Sequence, residues 1–358
     1  MSEGSSCKRL KKQHVAAGLG VLAILASVLF VVYRWRRSGF VWAKFVAVFS
    51  NVDWTWLSLA MALILATYVG RALRWEIMLR PLTKGVRLWG LVVATCIGFT
   101  AVVLFGRAGE PVRPYLIARK EGVSFSSQVA AWLVERILDL LMVLLIFGIA
   151  LTQVSRSGIQ PGPHIQSALQ AAGVLAGITG ALSLALLLGL RYFRGSVRTR
   201  LMEALSFLPD SLHERVSKFL GAFEEGMQST QRQSYVWLLV IYTIIEWLVV
   251  AGSFFCVFRA FPATAGMGIT DVVIALGFVA FGSVLQIPGV GGGMQIATVL
   301  VLTELYGVSL EAASGIALVL WIITFVVIVP LGLVLAFHEG IKWRSLRNID
   351  SSSSGYGL

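Results

Sequence analysis

Two short stretches hold the side chains able to do chemistry. The first reads Phe105-Gly106-Arg107-Ala108-Gly109-Glu110-Pro111-Val112-Arg113-Pro114, and the second carries Trp132, Glu135, Arg136 and Asp139. Three cations (Arg107, Arg113, Arg136) stand against three acids (Glu110, Glu135, Asp139), the neutral inventory that a buried polar site needs. Glu135 and Asp139 are one helical turn apart, and Arg136 pairs with Asp139 at i,i+3. A guanidinium presents a planar fork that fits a carboxylate or a phosphate with two parallel hydrogen bonds. The chemistry expected is therefore the grip and release of an anionic group by Arg107 and Arg113, with Arg136 held by Asp139. Two other uses stay open: ionic glue between a hairpin and a helix, or general-base catalysis by Glu110 or Asp139. A third stretch, Pro288-Gly289-Val290-Gly291-Gly292-Gly293 followed by Gln295, adds flexible backbone and the start of a helix, where free N–H groups can hold an anion. Gly291, Gly292 and Gln295 join the candidate site on that ground. No Gly-Lys-Ser/Thr follows, so this is no nucleotide loop. Glu246 stands alone in an apolar run, a proton site or a further member of the network.

The elements that must position these groups are set by composition. Of 358 residues, 57% are hydrophobic and 13% charged, against about 25% charged in a soluble domain. The chain reads as an all-α integral membrane protein rather than a soluble enzyme. The formal charge is +12, with 8 Lys and 22 Arg. In a membrane protein such an excess marks cytoplasmic loops and anionic headgroups, not nucleic acid. Cys7, Cys96 and Cys256, with His14, His164, His213 and His338, show no metal-ligand spacing, so no metal and no cofactor is expected.

Apolar runs of span length cover 15–32, 54–69, 88–105, 125–151, 165–190, 235–258, 271–287 and 312–337. Runs at 111–118 and 294–306 follow glycine-rich breaks and are too short to cross about 30 Å of hydrocarbon. A long leg, a break and a short leg predict two re-entrant hairpins beside six spans. With the N-terminus inside, 21 basic residues fall on the cytoplasmic side and 6 outside, as the positive-inside rule requires. Both termini are then cytoplasmic. The 34–44 loop is the exception to the rule.

Two stretches match each other. Gly98-Phe99-Thr100-Ala101, Glu110 and Gly122-Val123-Ser124 correspond to Gly277-Phe278-Val279-Ala280, Gln295 and Gly307-Val308-Ser309. The copies should be inverted in the membrane, a transporter pattern. The expected organisation is an anchor helix and loop over 1–53, a membrane domain over 54–338, and a cytoplasmic tail over 339–358. Repeat 1 covers about 88–151 and repeat 2 about 271–338. Between them, 191–234 reads as a cytoplasmic amphipathic segment with a capping box at Ser211-x-x-Glu214.

The chain resembles the lysylphosphatidylglycerol synthase transmembrane region family, also called flippase-like or UPF0104, over about 54–337. The resemblance rests on Arg71-Ala72-Leu73-Arg74-Trp75, Arg107-Ala108-Gly109-Glu110-x-x-Arg113, Gly122-Val123-Ser124, Val134-Glu135-Arg136-x-x-Asp139 and Pro288-x-x-Gly291-Gly292. Two positions depart from the family pattern: Phe105 replaces a common Pro, and Gln295 a common Glu. The resemblance implies a multi-pass protein of a bacterial or archaeal inner membrane that translocates an anionic phospholipid or polyprenyl phosphate. Alternatives are a membrane-embedded enzyme on a lipid-linked substrate and a non-catalytic partner of a lipid-synthesis enzyme. No aminoacyl-transferring domain is expected after the last span, so the chain is not read as a synthase.

Overall fold

The computed structural model describes residues 40–83, 85–156, 233–283, 286–287 and 291–340, with scattered positions between 173 and 221. The expected spans at 15–32 and 165–190, the amphipathic segment, the C-terminal tail and the 288–290 part of the second break lie wholly or mostly outside the described residues.

The described chain is helical: α1 (Trp42–Ala47), α2 (Trp54–Leu79), α3 (Leu88–Phe105), a 3-10 turn (Gly106–Gly109), α4 (Val112–Glu121), α5 (Phe125–Arg156), α6 (Gln233–Ala260), α7 (Ile269–Gly282), α8 (Gly293–Glu304), α9 (Leu310–Trp321), a π-helical turn (Ile322–Val326) and α10 (Ile328–His338). A two-residue antiparallel pair joins Gln286–Ile287 to Gly291–Gly292 in the second break. Five stretches are long and apolar enough to cross a membrane: Trp54–Leu79, Leu88–Gly109, Phe125–Ser155, Ser234–Ala260 and Leu310–His338. The chain is thus an all-α integral membrane protein, as composition predicts. Exposed apolar side chains such as Ile245, Leu248, Val334 and Phe337 fit a surface solvated by lipid rather than water.

Both expected hairpins form. In the first, α4 folds back along α3. A Cβ at Gly98 would lie 2.5 Å from the Arg113 Cβ, one at Gly90 would lie 3.7 Å from the Glu121 carboxylate, and Gly109 packs on the backbone of Ala101. The chain therefore returns to the level at which it started. Gly106 takes φ 64° at the turn, a conformation that only glycine adopts freely. Pro111 is the N-cap residue of α4 rather than its first helical residue. In the second hairpin, a Cβ at Gly282 would lie 2.6 Å from the Ala297 Cβ, and at the base the Tyr306 hydroxyl donates to the Asp271 carbonyl at 3.3 Å.

Each Gly-Val-Ser motif is a helix stop followed by a helix start. Gly122 and Gly307 both take φ 65° after α4 and α8. Ser124 Oγ then accepts from the Ser127 N–H at 3.2 Å, and Ser309 Oγ from the Ala312 N–H at 3.4 Å. The apolar run at 312–337 is one helix for most of its length, widened at Ile322–Val326, where the Val327 N–H reaches the Ile322 carbonyl at 3.0 Å. Pro330 explains the widening, because it has no N–H to offer the carbonyl one turn back.

The long helix of each unit lies against the first leg of the other unit's hairpin. α5 packs on α7, where a Cβ at Gly277 would meet the Ala150 Cβ at 2.7 Å and the Ile146 carbonyl at 3.0 Å. α10 packs on α3, where a Cβ at Gly332 would meet the Cys96 carbonyl at 2.8 Å. α2 and α6 pair along their length, with the Ser253 hydroxyl donating to the Ala60 carbonyl at 3.1 Å.

Candidate functional site

Seven charged side chains from four helices meet inside the bundle. α2 supplies Arg71 and Arg74, α4 supplies Arg113, α5 supplies Glu135, Arg136 and Asp139, and α6 supplies Glu246. Glu246 is at the middle of the 28-residue α6, about 20 Å from either end at about 1.5 Å per residue. The cluster therefore lies at membrane depth, where charges persist only when paired and are usually functional.

Glu135 is the hub. Arg113 Nη1 donates to both its carboxylate oxygens, at 2.9 and 3.0 Å, and Arg136 Nη2 donates at 3.1 Å. The Trp75 indole N–H donates to the same carboxylate, and Arg71 Nη1 stands 4.0 Å away. A second centre forms around Arg74. Its Nη1 donates to Asp139 at 2.7 Å and to Glu246 at 2.9 Å, while Nη2 reaches the Glu135 carbonyl at 3.4 Å. Arg71 Nη2 completes it, at 2.7 Å from Glu246. Arg113 Nη2 donates to the Arg71 carbonyl at 3.1 Å, tying the two centres together.

Aromatic faces take up the guanidinium planes. Arg113 lies over the Trp75 ring at 4.5 Å and Arg71 over Phe99 at 4.7 Å. Arg113 reaches this depth because Gly98 leaves α3 without a side chain at the crossing. Arg74, Trp75, Arg113, Glu135 and Glu246 are buried, whereas Arg136 is partly exposed on one edge of the cluster. Among the described residues, the Nε groups of Arg74, Arg113 and Arg136 have no acceptor.

Of the residues singled out from sequence, Arg113, Glu135, Arg136 and Asp139 come together. Arg107 is exposed on the Gly106–Gly109 turn, and Glu110 is half-buried at the same tip. Among the described residues, neither forms an ion pair with the cluster. Gln295 accepts from the Gly292 N–H at 2.8 Å in the first turn of α8. Gly291 belongs to the short strand pair that precedes it. Arg136 approaches Asp139 to 3.7 Å, farther than its 3.1 Å bond to Glu135.

Arg71, Arg74 and Trp75 are absent from the sequence-derived site, whereas Glu246, left between a proton site and a member of the network, pairs with Arg71 and Arg74. The apolar run ends at residue 69, which leaves both arginines looking like loop charges, yet the helix continues to Leu79. Two signals pointed inward. Arg71 and Arg74 share one face at i,i+3, and a lone acid in the middle of a span requires a cation.

No curated protein and no solved structure matches the chain. The sequence model described as "Lysylphosphatidylglycerol synthase TM region" does match, over residues 15–332. With its five candidate spans, and with a match that covers most of its length, the chain belongs to the lysylphosphatidylglycerol synthase TM region family of membrane proteins.

Proposed function

We propose that this protein moves an anionic lipid, a phospholipid or a polyprenyl phosphate, between the leaflets of an inner membrane. The headgroup passes over the arginine–carboxylate cluster while the acyl chains stay in hydrocarbon. The observation that carries this reading is the cluster itself: four guanidiniums on three helices, paired with carboxylates at membrane depth, with one edge open at Arg136. A phosphate offers the same paired acceptor oxygens as a carboxylate, so it can replace Glu135 or Asp139 on an arginine at small net cost.

The architecture supports the same reading. Each unit consists of a hairpin and a long helix, and each long helix rests on the other unit's hairpin. That exchange suits two inverted copies that rock against each other around a central site. The ends of the elements also sort into two levels. The Lys120 ammonium pairs with Glu339 at 2.6 Å at one level, and the Asp53 N–H donates to the Ala260 carbonyl at 3.0 Å at the other. Placing the Lys120 level in the cytoplasm agrees with the charge count and puts the end of α10 there.

The test is lipid translocation in proteoliposomes by an Arg71→Gln, Arg136→Gln double variant, beside its thermal unfolding. A charge-assisted hydrogen bond contributes about 1.5–3 kcal/mol, so losing even one to the headgroup should lower transport of an anionic lipid by roughly tenfold to a hundredfold, and the double variant by at least that much. Unchanged transport by the folded variant would remove the cluster from the pathway.

A further inference from the structure

The cluster is not neutral. Arg71, Arg74, Arg113 and Arg136 face Glu135, Asp139 and Glu246, so four positive charges meet three negative ones. Each carboxylate lies within 3.1 Å of at least one guanidinium, close enough for a charge-assisted hydrogen bond. The excess is one positive charge. Among the described residues, no other acid faces the cluster: Glu76 pairs with Arg80 at 3.2 Å near the end of α2, and Glu110 stays at the hairpin tip.

That excess is located. Arg113, Arg74, Glu135 and Glu246 have side chains at most 5% exposed, while Arg136 is 39%, Arg71 19% and Asp139 15% exposed. The accessible edge therefore carries two arginines and one carboxylate, and among the described residues the buried Nε groups of Arg74 and Arg113 behind it still lack acceptors.

We infer that the site is charge-matched to a phosphodiester lipid whose headgroup carries a single net negative charge, docked at the Arg71–Arg136–Asp139 edge. This rests on the transport reading above and narrows it. One negative charge brings the cluster to neutrality. A zwitterionic headgroup leaves the excess uncompensated. A phosphomonoester, doubly charged above about pH 7, overshoots it and places a second charge beside Asp139.

The experiment uses the full-length protein in phosphatidylcholine vesicles at about pH 8, where a monoester carries close to two charges. Three fluorescent probes are compared: phosphatidylglycerol, phosphatidylcholine and a long-chain alkyl phosphate. The diester should cross faster than either competitor by about tenfold, within the usual range of a coupling between bound charges. Two variants move the balance in opposite directions. Asp139→Asn raises the excess to two and should shift the ratio of monoester to diester upward by about tenfold. Arg136→Gln brings the excess to zero and should abolish the preference of diester over phosphatidylcholine. Both positions are partly exposed, so both variants should fold. If no probe crosses faster than in empty vesicles, the transport reading itself falls. If all anionic probes cross equally, or neither variant changes the ratios, transport stands and the charge match is overturned.

Discussion

The two hairpin-plus-helix units share a frame and differ in chemistry. Counting from the two Gly-Val-Ser motifs, Arg113 corresponds to Thr298, Glu135 to Leu320, Arg136 to Trp321 and Asp139 to Thr324. The first unit carries an ionic network at these positions. The second carries no charge at any of them: Thr298 is buried and donates to the Met294 carbonyl at 2.8 Å, and Leu320 is buried in the apolar core. A hairpin and its long helix thus pack without ion pairs. The charges of the first unit are not required by the fold type, and removing charges from water is costly. Ionic glue is a weak account of residues that the sister unit omits.

The largest effect expected of this difference is on stability. Arg113→Met removes one partner of a buried pair and leaves Glu135 under-compensated, a change that typically costs about 3–5 kcal/mol. At the corresponding position, Thr298→Val loses only a local hydroxyl bond, on the order of 1 kcal/mol. Unfolding of both variants in detergent, followed by tryptophan fluorescence, compares them directly. Equal losses would mean that the two units are held together in the same way.

The next effect concerns what the units share. Gly277→Ala pushes a methyl group into Ala150 and the Ile146 carbonyl of α5, and Gly332→Ala pushes one into Thr100 and the Cys96 carbonyl of α3. Overpacking of this kind costs about 1–3 kcal/mol. Both crossings are helix on helix, with backbone on the far side, so similar losses are expected. A large loss at one glycine and none at the other would break the symmetry of the packing.

What the sequence made legible follows the same division. Both hairpins were readable because glycine-rich breaks and short apolar legs have few other uses in a membrane. The Gly-Val-Ser repeat was readable because helix stops and starts have fixed residue preferences. The site was half readable. Arg113, Glu135, Arg136 and Asp139 stand out as charges in apolar runs, but Arg107 and Glu110, which share that property, sit at the hairpin tip. Sequence spacing cannot say which side of a turn faces the bundle. Arg71 and Arg74 were obscured because the apolar run stops at residue 69 while α2 runs on to Leu79, so the last ten residues of a buried helix read as loop. Their identity as partners of Glu246 depends on the pairing of α2 with α6, a contact between residues 172 apart.

A smaller effect tests the shared helix boundaries. Gly122 and Gly307 both sit at φ 65°, so replacement by Ala should cost about 1 kcal/mol at each. Neither Cβ would meet an atom within 4 Å, so the cost is backbone strain alone and should be the same in both units. A much larger loss at Gly122 than at Gly307 would mean that the boundary of α4, which aims Arg113, is under extra constraint.

The smallest effect lies where the two units meet at one membrane face. Lys120 at the end of α4 pairs with Glu339 just after α10 at 2.6 Å, and both side chains are partly exposed. An exposed pair contributes about 0–1 kcal/mol and is screened by salt, so Lys120→Gln should barely move the unfolding midpoint and should do so only at low ionic strength. The geometry is more informative than the energy. Cysteines placed at 120 and 339 should cross-link readily in the folded protein, because the first hairpin and the last helix end at one level. Cross-linking fixes them on one side of the membrane. Labelling of the single 120 cysteine with an impermeant reagent then says which side. Protection in intact cells and reaction after permeabilisation would place both ends in the cytoplasm, whereas failure to cross-link would mean that the first hairpin does not return to the level from which it started.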